Sequence, residues 1–159
     1  MEDFNKRNLG FGMIEMLVGA SVLSVALLAI SSFFQTTLRI SNATEGKAQS
    51  SYLLEEGIEA IKFMRDTNYT NNLKNLPSGT YYLTWNGATW ATTSVNTYID
   101  GGFERKFDIA SVQRDGNNDI GVGTIDSNTK KITMYVAWND RGATTTRSIS
   151  TYVMNIFNN

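Results

Sequence analysis

A long apolar run near the start of the chain constrains its structure more than any other feature. Residues 11–34 read FGMIEMLVGASVLSVALLAISSFF and carry a single charge, Glu15. About 20 helical residues suffice to cross the roughly 30 Å hydrocarbon core of a bilayer. The run has no polar face before Gln35, which argues against the core helix of a soluble domain. We therefore predict a membrane-spanning helix. Because Lys6 and Arg7 precede it, the N-terminus is expected in the cytoplasm and the rest of the chain outside.

The composition narrows the chemistry that remains possible. The chain has 159 residues, a net charge of −1 and neither cysteine nor histidine. Disulfides, thiolate nucleophiles and cysteine-ligated zinc are thereby excluded, and the commonest general base and metal ligand is missing. The near-neutral charge gives no overall attraction to nucleic acid. We predict a protein that is not an enzyme and needs no cofactor, and the alternative is an enzyme built from carboxylates, lysine or tyrosine.

The first ten residues, MEDFNKRNLG, form a short polar leader. An ordinary secretory signal carries its apolar region before the cleavage site and loses it on processing. Here the apolar run begins after the leader. Cleavage after Gly10 would therefore remove the leader and leave the helix on the mature protein.

These residues resemble the prepilin signal of type IV pilins and type II secretion pseudopilins. The shared features are the basic pair Lys6-Arg7, Gly10 at the cut, the aromatic Phe11 after it and Glu15 at the fifth mature position. The resemblance implies cleavage after Gly10 by a prepilin peptidase and N-methylation of Phe11. It further implies an inner-membrane assembly platform and other pilin or pseudopilin subunits as partners.

Glu15 is the residue to which we assign assembly. A carboxylate within an apolar helix is costly in a membrane and usually has a partner. Cleavage would create an α-amine at Phe11, and the amine of a neighbouring subunit could neutralise Glu15 in a filament. The alternative is a carboxylate close enough to the membrane edge to reach water.

The helix is expected to continue beyond the membrane to about Asp66. In residues 35–66, Leu54, Ile58 and Ile61 recur at helical spacing, which predicts an amphipathic half that packs on a surface. The polar residues 67–72 should end the helix. The string Glu55–Lys62 (EEGIEAIK) resembles minor pilins and pseudopilins more than major ones.

The remaining residues, 67–159, have a β pattern. Strands are expected at Thr80–Trp85, Lys106–Arg114, Lys131–Trp138 and Thr146–Phe157, and the turn-forming residues 139–142 predict that the last two form an antiparallel hairpin. We therefore predict an α+β fold, in which the long N-terminal transmembrane helix forms the spine of a head with an antiparallel sheet of about four strands. This layout resembles the pilin lollipop.

Three groups of head residues have alternative interpretations. Asp115, Asn117, Asp119 and Asp126 resemble a calcium loop, but Ile120 occupies the place where an EF-hand has glycine, so a plain polar loop is favoured. Aromatic residues in the strands suggest either a sugar- or base-stacking platform or core packing, and core packing is favoured; they are Trp85, Trp90, Trp138, Tyr81, Tyr82 and Tyr98. Scattered basic residues suggest either a DNA-binding patch or solvated charges, of which the latter is favoured; they are Arg105, Lys106, Lys130, Lys131, Arg141 and Arg147.

The sequence thus predicts a structural subunit, of the minor class, of a type IV pilus-like filament. Residues 1–10 would be the leader, 11–34 the assembly helix, 35–66 its amphipathic half and 67–159 the outer head. Small residues at Gly19, Ala20, Ser24 and Ala29 would let helices approach closely in the filament. The alternative is a single-span, membrane-anchored receptor or adhesin that does not polymerise. That alternative leaves the pattern at Gly10, Phe11 and Glu15 unexplained.

Overall fold

A computed structural model describes the chain from Gly12 to Phe157. The described residues belong to two compact units, one ending at Ala43 and the other beginning at Thr44. The chain forms one long helix, a short π-helical turn and five strands. In chain order these are α1 (Met13–Tyr69), the π-helical turn (Thr70–Lys74), β1 (Gly79–Trp85), β2 (Trp90–Thr93), β3 (Phe103–Arg114), β4 (Thr124–Asp140) and β5 (Ala143–Met154). The predicted α+β class is confirmed.

In the first unit, α1 exposes its apolar side chains on every side. The large apolar residues between Met13 and Ile40 are each more than half exposed. Four hydroxyl groups donate hydrogen bonds to carbonyls of the same helix; for example, Ser24 Oγ donates to the Ala20 carbonyl at 2.8 Å, and Thr37 Oγ1 donates to the Phe33 carbonyl at 3.0 Å. Such internal bonding suits a helix in an apolar medium, where no water is available to polar groups.

In the second unit, one face of α1 is buried against the sheet. The expected stripe of apolar residues is confirmed, because each of its core members is less than one-tenth exposed; they are Leu53, Leu54, Ile58, Ala60, Ile61 and Met64. Two glycines extend this face. A Cβ added at Gly57 would lie 2.9 Å from Met134 Sδ, and one at Gly46 would lie 2.8 Å from Trp138 Nε1. Both glycines therefore permit a close approach that any larger residue would obstruct.

The end of α1 differs from the expected one near Asp66. The backbone leaves helical geometry at Asn68, with φ −166° and ψ 97°, and the Asn68 side chain accepts a hydrogen bond from the Asn71 amide at 2.9 Å. Helical structure nevertheless includes Tyr69 and is followed by the π-helical turn. Tyr69 and Leu73 are fully buried. Burial of these two side chains keeps a polar segment coiled against the sheet.

The sheet is antiparallel throughout, with the order β2-β1-β3-β4-β5. The predicted hairpin of the last two strands is confirmed, with Asp140 paired to Ala143 across a two-residue turn. Arg141 and Gly142 both have positive φ, 56° and 87°, as a type I′ turn requires. On the buried face of β4, Ile132, Met134 and Val136 are completely shielded from solvent.

The sheet departs from the sequence prediction in its number of strands, and β3 contains one irregularity. The sheet has five strands instead of about four, because the four-residue β2 pairs with β1 across the turn after Trp85. In β3, the apolar alternation that breaks at Ala110 is followed by a shift in register between Ser111 and Val112. After this irregularity Val112 faces the core, with 4% exposure.

Candidate functional site

The N-terminal end of α1 places Glu15 in the first helical turn. The Gly12 amide donates to Glu15 Oε2 at 2.6 Å, and the helix begins at the next residue, Met13. A glutamate at the third helical position commonly bonds back in this way, and its negative charge interacts favourably with the helix dipole. Gly10 and Phe11, the predicted processing residues, lie outside the described residues.

The helix after Glu15 is long and apolar enough to cross a membrane. Its apolar window has a mean hydropathy of 2.2, and none of that window is buried within the chain. At Gly19 an added Cβ would have no neighbouring atom within 4 Å. The small side chains of Ala20, Ser24 and Ala29 are likewise exposed. A single-pass membrane protein is compatible with these observations.

The candidate calcium loop is organised by its own backbone. Asp115 Oδ1 accepts hydrogen bonds from the amides of Asn117 at 2.9 Å and Asp119 at 3.0 Å. A carboxylate bonded to two amides in this way stabilises a turn without a cation. From Gly12 to Phe157, no group of three or more histidine, cysteine, aspartate or glutamate residues is placed to hold a metal ion.

Asp126, the fourth member of that candidate set, has different partners. Its Oδ2 lies 2.6 Å from Thr129 Oγ1 and 2.7 Å from Arg114 Nε. The hydrogen bond from Thr129, followed by the interaction with Arg114, lowers the pKa of Asp126 to about 2. Burial, and to a smaller extent the nearby charge of Asp126, raises the pKa of Tyr69 to about 12. Asp126 therefore anchors the ends of β3 and β4 through Arg114.

The basic residues considered for DNA binding have varied surroundings. Arg105 is buried and pairs with Glu56 at 2.6 Å, while Arg147 donates to Ser51 Oγ at 2.7 Å. Lys106 lies 3.3 Å from a Glu104 oxygen. These contacts hold three of the candidate cations against acceptors within the head.

The aromatic residues divide between the core and the surface. Trp138 is 7% exposed and packs against Phe103 with ring centroids 6.0 Å apart. Trp85 is half exposed and pairs with Trp90 across β1 and β2, with ring centroids 5.4 Å apart. The preference for core packing is right for Trp138, whereas Trp85 presents its ring to solvent.

The ion pair between Glu56 and Arg105 is the main feature that sequence reasoning missed. In the sequence, Glu56 adjoins the apolar positions of α1 and Arg105 is one of the scattered basic residues of the head. A glutamate next to a buried stripe is a signal that a cation could approach, but the two residues are far apart in sequence. Only the packing of β3 against α1 identifies the partner.

Comparison of the chain with models of known protein families, with curated proteins and with solved structures gave no match.

Proposed function

We propose that this chain is a minor subunit of a type IV pilus-like filament, either a pilin or a secretion pseudopilin. It would be made as a single-span precursor in the cytoplasmic membrane, with its N-terminus in the cytoplasm and its head outside. A prepilin peptidase would cut it after Gly10, and an assembly platform would insert it into a periplasmic or cell-surface filament. The observation that carries the proposal is the exposed apolar stretch at the start of α1, in which Glu15 is the single charge before Arg39, preceded in the sequence by the pattern at Lys6, Gly10 and Phe11.

Helix packing would hold the subunit in the filament. The large apolar side chains from Met13 to Leu38 are each more than half exposed. Membrane lipid would cover them before assembly, and the helices of neighbouring subunits would replace lipid afterwards. Gly19, Ala20, Ser24 and Ala29 would allow close contact between helices, where dispersion forces supply the association energy.

Glu15 would set the register between subunits. Its hydrogen bond to the Gly12 amide occupies Oε2 and leaves the remaining acceptor capacity of the carboxylate for a second partner. The α-amine created at Phe11 by cleavage is a suitable cation. In a low-dielectric surrounding, pairing would neutralise two charges that are otherwise costly to bury.

The competing proposal is a membrane-anchored receptor or adhesin that remains a monomer. The bond from Gly12 to Glu15 favours it, because helix capping accounts for Glu15 without any neighbour. The filament proposal accounts in addition for the leader and for the residue types at Gly10 and Phe11.

Processing is tested first, by co-expressing the full chain with a prepilin peptidase and measuring intact mass and N-terminal sequence. We expect a mature N-terminus at methylated Phe11. A chain that stays uncut, while the same peptidase cuts a known substrate, would refute the proposal in favour of the anchored monomer.

The role of Glu15 is then tested by filament incorporation of Glu15→Gln and Glu15→Ala. Glutamine keeps an oxygen that can accept the Gly12 hydrogen bond but removes the charge. We expect both variants to be cleaved and both to be lost from filaments, whereas Glu45→Gln, at an exposed glutamate later in α1, is incorporated normally. If Glu15→Gln is incorporated and Glu15→Ala is not, Glu15 acts as a helix cap and the charge-pair hypothesis is wrong.

A further inference from the structure

A groove in the head lies between α1 and the β1–β2 hairpin. It encloses about 460 Å³, and Glu59, Phe63, Trp85 and Trp90 are among its lining residues. This volume falls within the range of about 300–1,000 Å³ that is typical of small-ligand sites. The groove belongs entirely to the unit that begins at Thr44.

Aromatic rings form one part of this groove. Trp85 is 50% exposed and Phe63, on α1, is 44% exposed. Trp90 lies between two neighbours: its ring centroid is 5.4 Å from that of Trp85 and 5.3 Å from Arg105 Cζ. The buried guanidinium of Arg105 thus supports Trp90. Trp85, supported by Trp90, is left with accessible ring surface.

Charged side chains form the other part, and every one of them has a partner of opposite sign. The Lys62 ammonium lies 2.7 Å from Glu59 Oε1, and Arg65 Nε lies 2.6 Å from Asp66 Oδ1. Glu56 Oε2 lies 2.6 Å from Arg105 Nη1. Because these charges compensate each other in pairs, the groove has no excess charge to attract an ion. It does present fixed carboxylate and ammonium groups that can exchange hydrogen bonds with an uncharged polar ligand.

This combination selects a chemical class of ligand. A sugar ring presents C–H groups on its face, which suit the electron-rich face of an indole, and hydroxyl groups around its edge. Glu59 and Lys62 supply an acceptor and a donor for such hydroxyls. Nucleic acid is disfavoured, because the cations of the groove are already paired with carboxylates and leave no excess positive charge for phosphates.

We infer that the groove between α1 and the β1–β2 hairpin binds a neutral saccharide, with a sugar ring stacked on Trp85. We expect a millimolar dissociation constant for a disaccharide, because the groove is open to solvent and offers one accessible indole for stacking. The inference does not depend on filament assembly, since the groove is complete within one chain.

The test uses the full chain with ¹⁵N-labelled tryptophan, in a detergent that has no sugar headgroup. Cellobiose, maltose, lactose and chitobiose are titrated into the millimolar range, and the three indole N–H resonances are followed by NMR. We expect at least one disaccharide to shift the Trp85 and Trp90 resonances saturably while Trp138, in the core, does not move. The inference fails if no disaccharide gives a saturable shift, or if Trp138 shifts as much as Trp85.

Variants then locate the binding surface. Trp85→Ala should weaken binding roughly tenfold or more, as expected for loss of a stacking ring, and Trp85→Phe should weaken it less. Tyr52→Ala, which removes a 71% exposed aromatic ring elsewhere on α1, should change affinity less than about twofold. An unchanged Trp138 resonance verifies that each variant is folded. Should Trp85→Ala not fold, Glu59→Gln is measured instead and should weaken binding severalfold. Equal affinities of wild type and the groove variant would overturn the inference.

A charged probe tests the argument from paired charges. Sialyllactose, which adds one carboxylate to lactose, should bind no better than lactose itself. Tighter binding of the acidic sugar would contradict a groove selective for neutral ligands. If wild type binds no saccharide while Trp85→Ala is cleaved normally but lost from filaments, the groove is a contact between subunits and the saccharide inference is wrong.

Discussion

The early and late stretches of helix α1 both carry large apolar side chains, but these side chains have different surroundings. From Met13 to Ile40 the large apolar side chains are more than half exposed, whereas Ile61 and Met64 in the later stretch are almost completely buried. In the first stretch the apolar residues surround the helix, and in the second they form a stripe with charged residues beside it. The arrangement of apolar residues, more than their number, therefore separates a surface that needs an external partner from one that is covered within the chain.

Glycines show the same contrast. An added Cβ at Gly19 would meet no atom within 4 Å, whereas one at Gly57 would meet the Met134 side chain at 2.9 Å. A side chain at Gly57 would therefore force the end of the Met134 side chain to move. At Gly19 the described part of the chain leaves space for a larger side chain.

The largest expected effect comes from truncating the buried stripe. Ile61→Ala should lower the free energy of unfolding of the head by about 2–5 kcal/mol, because it leaves a cavity in the core. Ile30→Ala removes the same atoms from an exposed position and should change the free energy of unfolding of the head by less than about 0.5 kcal/mol. Urea denaturation of the full chain in detergent, followed by the fluorescence of the three tryptophans, all of which lie in the head, measures both. Equal losses would contradict the division of α1 into covered and uncovered stretches.

Low pH should affect the two stretches differently. Residues 16–38 contain no charged side chain that could titrate, whereas the stability of the head depends in part on the charge of Asp126. The folded pKa of Asp126 is lowered to about 2 from its ordinary 3.8, so its stabilisation is present above about pH 4 and disappears as pH falls towards 2. Asp126→Asn should therefore lower the free energy of unfolding by about 1–2 kcal/mol at pH 7 and have little effect at pH 2.

The measurement is denaturation of the head at several pH values, with helix content followed separately by circular dichroism. Asp140→Asn, at a partly exposed position in the same strand, is the control and should show no comparable dependence on pH. If Asp126→Asn lowers the free energy of unfolding by the same amount at pH 2 and at pH 7, the charge of the carboxylate does not cause the stabilisation.

Removing the charge of Glu56 should reveal the cost of burying Arg105. The Arg105 side chain is 5% exposed and its partner is half exposed. Glu56→Gln should lower the free energy of unfolding of the head by about 1–2 kcal/mol. This loss is smaller than that for breaking a fully buried pair, because solvent screens the half-exposed glutamate. Glu55→Gln, at the adjacent exposed position, is the matched control for the same denaturation assay. A loss no greater than that of Glu55→Gln would mean that water, and not Glu56, compensates Arg105.

The smallest effect is expected from adding one methyl group to each stretch. Gly57→Ala forces the buried Met134 to move and should cost about 1 kcal/mol, since the improved helix propensity partly offsets the overpacking. Gly19→Ala should leave the thermal unfolding of the head unchanged. Under the filament proposal it should instead reduce incorporation, because it separates neighbouring helices. If Gly57→Ala is as stable as wild type, the close contact with Met134 is easily relieved.

Much of the fold follows from patterns within short segments of the sequence. The apolar run predicts the first part of α1, and the spacing of Leu54, Ile58 and Ile61 predicts its buried face. The strict alternation in β4 and the turn at Arg141-Gly142 predict the last hairpin. These patterns are sufficient because each depends on neighbours within a few residues. The short β2 escapes such reasoning, since four residues are too few to establish a period.

Of the two candidate functional regions, one is visible in the sequence and the other appears only in the tertiary structure. The arrangement of Lys6, Gly10, Phe11 and Glu15 is visible in the sequence, and from it comes the filament proposal. The saccharide groove is not visible there, because Phe63 and Trp85 belong to different elements and meet only when the hairpin packs beside α1. Aromatic composition alone could not separate Trp85 at the surface from Trp138 in the core.

By itself, the sequence determined the extent of the apolar helix, its change to an amphipathic stripe and the hairpin of β4 and β5. Only the tertiary structure decided that α1 extends to Tyr69, that Arg105 pairs with Glu56 and that Asp126 pairs with Arg114. The reason is the range of the interactions. Helical and strand periods express the local geometry of the backbone, whereas burial and ion pairing depend on which distant segments compete for the same surface.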